Sequence, residues 1–83
     1  MTAFSLILIT ESITYSGDGV HPTRVVLHEN DIGTYVTWLE VMPRDQKAYK
    51  ILGHYDIPSF LDGILDFHAR EENLAREFKP MHN

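Results

Sequence analysis

The stretch from Asp56 to Phe78 limits what this chain can fold into more than any other. Apolar residues recur there at Ile57, Phe60, Leu61, Ile64, Leu65, Phe67, Leu74, Ala75 and Phe78, with His68 at the border. Steps of three and four residues draw a stripe along an α-helix. Asp62, Asp66, Arg70, Glu72, Arg76 and Glu77 fill the other side, which this reading gives to water. Asp56 is placed to cap the helix with Pro58 in its first turn, where a missing N–H costs nothing. Ser59 followed by Asp62 forms a second, weaker start signal. Gly63 breaks the pattern at about 1 kcal/mol against alanine, and a close approach of the helix backbone to a neighbouring sheet explains it. Pro80 ends the helix, and Met81, His82 and Asn83 are expected to fray.

Upstream, the period changes to two. Phe4 to Tyr15 reads as a first strand with Phe4, Leu6 and Leu8 on one face and Ile7, Ile9 and Ile13 on the other. Ser16-Gly17-Asp18-Gly19 is a turn. A second strand spans about Arg24 to Glu29, and Asn30-Asp31-Ile32-Gly33 closes a hairpin to a third, Tyr35 to Met42. On that third strand Tyr35, Thr37, Leu39 and Val41 share one face, and Val36, Trp38, Glu40 and Met42 the other. After the polar loop Pro43–Lys47, a fourth strand runs from Ala48 to Tyr55. Short connections favour pairing of consecutive strands. The expected fold is α+β: one small domain over residues 1–83, a four-stranded antiparallel meander with one C-terminal helix on one face.

That architecture leaves apolar surface without cover. Four strands at ~4.8 Å spacing make a sheet about 19 Å wide, whereas a helix with its side chains is about 10 Å across. Large apolar groups nevertheless lie on both faces. A contiguous exposed patch beyond a few hundred Å² marks an interaction surface, and the twofold dimer is the commonest closed assembly. The chain is therefore expected to associate with itself through the uncovered face or an edge strand. Phe4, Leu6, Leu8, Val36, Trp38 and Leu39 are the candidate contact residues, because large apolar side chains at a patch centre dominate interface energy.

Charge and residue chemistry narrow the other classes. The net charge is −5. Residues 1–42 carry Glu11, Asp18, Glu29, Asp31 and Glu40 against Arg24 alone, so no basic stripe exists to neutralise phosphates, and nucleic acid is not an expected partner. The aromatics Tyr15, Tyr35, Trp38, Tyr49 and Tyr55 resemble a base-stacking set, but they lack accompanying cations and suit a protein interface equally well. Arg44, Lys47 and Lys50 read as a charged edge that blocks further strand pairing. The chain has no cysteine, and Phe4–Ile9 is too short for a membrane span, so the cytoplasm is the expected compartment and no membrane partner is expected. The five histidines, at 21, 28, 54, 68 and 82, lack zinc-site spacing. Asp62 and Asp66 read as a solvated face rather than an acid–base pair. No catalytic residue, metal or cofactor is assigned. The rival class is a small-ligand binder or enzyme with a pocket between sheet and helix near Tyr49, His54 and His68.

Overall fold

The computed structural model describes residues 6–17 and 20–81. Its elements are β1 (Leu6–Glu11), β2 (Tyr15–Gly17), β3 (Val20–Asn30), β4 (Tyr35–Val41), β5 (Tyr49–Ile57), α1 (Phe60–Glu77) and β6 (Lys79–Pro80). This is an antiparallel sheet with one C-terminal helix packed against it, the expected α+β class, with six strands rather than four. The sheet runs β5-β4-β3-β2-β6, and β1 also pairs with β3.

The expected first strand is divided into β1 and β2, which pair with successive halves of the long β3. The division lies at Ser12. Its backbone N–H donates to Val25 O at 2.9 Å, while its hydroxyl oxygen accepts the Val25 N–H at 2.8 Å. A buried backbone group must find a partner, and here a side chain supplies one where the ladder shifts register. The Val25-Val26-Leu27 run of β3 is almost wholly buried. Its neighbours lie on both edges and apolar groups on both faces, as such a run requires.

Between β3 and β4, Asn30 builds the turn. Its Oδ1 accepts from the N–H groups of Ile32 (3.1 Å) and Thr34 (3.0 Å), and Gly33 takes a φ of 84°. This is the side-chain mimicry that favours Asn at turns. Strand β5 is bulged twice against β4: Thr37 pairs with His54, but Leu39 pairs with Ile51 and Tyr35 with Ile57. Each bulge contains a left-handed residue that is not glycine, Leu52 (φ 53°) and Asp56 (φ 57°). Such residues cost of order 1–3 kcal/mol and persist where the surroundings impose them.

The helix begins later than the sequence reading placed it. Asp56 and Ile57 belong to β5, and Ser59 is the cap, accepting the Asp62 N–H at 3.1 Å. Asp56 is committed to the strand, so the second start signal prevails over the first. The inward stripe also differs. Gly63, Phe67, Arg70 and Leu74 are buried, with Ile64 and Phe78 packed beside them, whereas Phe60, Leu61 and Leu65 are exposed. Gly63 meets the sheet as expected: a Cβ there would stand 3.2 Å from Leu27 Cδ1 and 3.3 Å from Tyr35 Cβ. The helix ends at Phe78, whose N–H reaches Leu74 O at 2.8 Å. Lys79 and Pro80 then pair with β2, and the Met81 N–H donates to Thr14 O at 2.8 Å, so Met81 is tethered rather than frayed. His82 and Asn83 lie outside the described residues. The core between helix and sheet is Tyr15, Val25, Leu27, Phe67 and Leu74, flanked by Ile9, Tyr35, Leu39, Ile64 and Phe78.

Candidate functional site

The face of the sheet opposite the helix is graded from apolar to charged. Cross-strand partners share a face, so the pairs Leu8–His28, His28–Val36, Val26–Trp38 and Arg24–Glu40 place these side chains together. At the end away from the β3–β4 turn, Arg24 bridges Glu40 (2.7 Å) and Glu11 (2.8 Å), and Lys50 approaches Glu40 at 3.7 Å. The Lys50 ammonium also lies 5.7 Å from the Trp38 ring centroid, within cation–π range.

At the turn end the face becomes mostly apolar, with Asp56 its one charged member. Leu6, Ile32, Val36, Trp38 and Tyr55 line a cleft of about 410 Å³, with Asn30 and Asp56 as its polar members. The bulges of β5 build one wall. Gly53 has no side chain, and Tyr55 lies across it to meet Trp38 edge-on, ring centroids 5.7 Å apart, with Trp38 Nε1 donating to Tyr55 Oη at 3.0 Å. A Cβ on Gly53 would come within 2.6 Å of both rings.

His28 stands behind Trp38, edge to face at 5.5 Å. Its Nδ1 is buried and has no hydrogen-bond partner among the described residues. Burial, and then the Lys50 charge, push this imidazole below its ordinary value, with Glu40 opposing.

Of the six predicted contact residues, Leu6, Val36 and Trp38 meet in this cleft. Leu8 pairs with His28 on the same face and is half exposed. Leu39 lies on the other face, against the helix core. Phe4 lies outside the described residues.

A second site lies between the helix and the sheet. Asp66, which the sequence reading gave to solvent, accepts a short hydrogen bond from the Thr37 hydroxyl and holds His54 Nδ1 at 3.0 Å. Arg70, also given to solvent, is only 9% exposed, and its Nη1 donates to both Thr37 O and Thr37 Oγ1 at 3.2 Å. Burial alone would raise the Asp66 carboxyl. Hydrogen bonds from Thr37 and His54, with the charges of His54 and Arg70, outweigh it and hold the group below the ordinary aspartate range. Burial draws the Arg70 guanidinium down, and the Asp66 charge offsets part of that.

Beside this cluster is a pocket of about 300 Å³, lined by Leu39, His54, Arg70, Asn73, Leu74, Glu77 and Phe78. Of the three residues predicted for such a pocket, His54 lines it and Tyr49 and His68 do not. His68 is exposed and pairs with Glu71 at 3.2 Å. Among the described residues no group of three His, Cys, Asp or Glu side chains is arranged to hold a metal, and no helix is long and apolar enough to cross a membrane.

The sequence reading missed Asp66 and Arg70 because charge was taken as a mark of the wet side. Spacing was the available signal. From 63, steps of three and four lead through 66 or 67 to 70 and 74, so a buried Gly63 and Phe67 carry Asp66 and Arg70 inward with them. Compared with protein-family models, curated proteins and solved structures, the chain matches none.

Proposed function

We propose that this protein is a non-enzymatic interaction module that pairs with a second copy of itself through the open face of its sheet. The cleft between Leu6, Val36, Trp38 and Tyr55 carries this reading. Its walls are mostly apolar and, apart from Ile32 in the β3–β4 turn, stand on strands, with Asn30 and Asp56 as the polar members. Tyr55 is 62% exposed, Leu8 49% and Leu6 44%, on one continuous surface. Two further considerations favour a second copy as the occupant.

The first is area. A plate of four strands, each about seven residues long, is roughly 19 by 24 Å in outline, and side-chain relief raises its accessible area toward the ~600–800 Å² per partner that stable interfaces bury. The second is charge. The chain as a whole is acidic, but on this face Arg24 and Lys50 stand against Glu11 and Glu40 and are already paired with them, which leaves Asp56 as the one further acid at the cleft. A twofold axis through the apolar end would bring cleft onto cleft and leave the paired charges at the rim, the arrangement seen in self-complementary interfaces. The expected compartment remains the cytoplasm, on composition.

Light scattering behind a sizing column tests the reading. The wild-type chain should elute at twice its 9.6 kDa mass, and Leu8→Lys and Trp38→Asp should elute as monomers with the helical circular dichroism retained. A wild-type monomer at millimolar concentration would overturn it. Loss of the helical signal in Trp38→Asp would show that Trp38 serves the core, and Leu8→Lys, altered at an exposed position, then decides.

A further inference from the structure

Arg70 presents an unfinished piece of chemistry. It is more than nine-tenths buried, yet no carboxylate of the described residues comes within ion-pair distance of it. The carboxylate whose charge acts on it is already engaged: Asp66 takes the Thr37 hydroxyl and His54 Nδ1, and Arg70 reaches only Thr37. A guanidinium has five N–H donors in a planar fork. Here Nη1 is the one nitrogen with a protein acceptor among the described residues, and the group opens onto the 300 Å³ pocket. Buried charges are costly unless paired, and a planar fork facing a cavity matches a carboxylate in geometry as well as sign.

The rest of the lining defines the ligand. Asn73 adds an amide. His54, with Nδ1 fixed by Asp66, keeps Nε2 as its other hydrogen-bonding atom. Leu39, Leu74 and Phe78 make the remainder apolar. Four polar side chains thus converge beside three apolar ones, a lining that can fix the head group of a small molecule and seat its tail. We propose that the pocket between α1 and strands β4 and β5 binds a small carboxylate with an apolar tail, its head group on Arg70 and its tail against Leu39, Leu74 and Phe78. Glu77 stands at the rim and opposes any anion that enters. This site is on the opposite face from the proposed dimer contact, so the two stand or fall separately.

The test is a titration of the intact protein followed by ¹H–¹⁵N correlation spectra, with benzoate and butyrate as probes and benzamide as the uncharged counterpart. Benzoate and butyrate should move the amides of Leu39, His54, Arg70 and Leu74 in a saturable way, and benzamide should bind at least tenfold more weakly. Arg70→Gln should remove benzoate binding while the spectrum stays dispersed, and Glu77→Gln should tighten it severalfold. Should Arg70→Gln fail to fold, Arg70→Lys, which keeps the charge but loses the fork, should weaken benzoate binding by tenfold or more. Equal binding of benzamide and benzoate, binding unaffected in a folded Arg70 variant, or no saturable shift at 20 mM ligand would each overturn the proposal.

Discussion

Gly63 shows how one residue can oppose its own element. Alanine would add about 1 kcal/mol of helix propensity, but its methyl would press on Leu27, which is fully buried and has no room to yield. Overpacking of this kind costs about 1–3 kcal/mol. Gly63→Ala should therefore lower stability by about 1 kcal/mol in chemical denaturation, and a gain would show that helix and sheet can separate at this point. His28 makes a different prediction at the same scale. Its imidazole is held below the ordinary value of 6.5, chiefly by burial, so below that pH the unfolded chain takes up a proton that the folded chain resists. Stability is complete above 6.5 and is lost as pH falls from there through the folded value. Asp66 adds a loss of the same sign below the ordinary aspartate value of 3.8. The melting temperature should start to fall as the pH drops below 6.5, and His28→Gln should remove that first decline and keep the acid one. A first decline that survives in His28→Gln would assign it to another group.

At the scale of the element, β5 is the unusual strand. Two bulges and two left-handed non-glycine residues coil it so that Tyr55 can cross Gly53 and reach Trp38. Gly53→Ala should expel Tyr55 from this position, since its Cβ would overlap both rings. The expected result is a shift of the single tryptophan's fluorescence and weaker self-association, with the helix intact. An unchanged emission spectrum would mean that the Tyr55–Trp38 contact does not need the glycine. Little of this was legible in the sequence. Alternation in Tyr35–Met42 placed Val36 and Trp38 opposite Leu39 correctly, because period two survives in a regular strand. It did not register the inserted residues: beside Leu52, Gly53 was the available mark of a bulge, whereas at Asp56 the period is reset with no glycine next to it. Nor did the alternation read from Phe4 to Tyr15 reveal that the strand divides at Ser12. For α1 the turn chemistry of Ser59 was readable, and the inward face was blurred by Leu61 and Leu65, which are apolar but exposed.

For the molecule as a whole, the sequence disclosed a mismatch of areas, and the structure places a cleft on the uncovered side of the sheet. A competing apolar surface exists on α1, where Phe60, Leu61 and Leu65 face outward. It is narrower than the sheet face, and Phe60 is partly engaged edge-on with Tyr35 at 6.0 Å. The central claim is that the sheet face is where two copies meet. Isotope-filtered nuclear Overhauser spectra on a mixture of ¹³C-labelled and unlabelled chains test it most directly. Contacts between the Trp38 and Tyr55 rings of one copy and the exposed Leu6 or Leu8 methyls of the other are predicted. Intermolecular contacts confined to Phe60, Leu61 and Leu65, or none at millimolar protein, would contradict it.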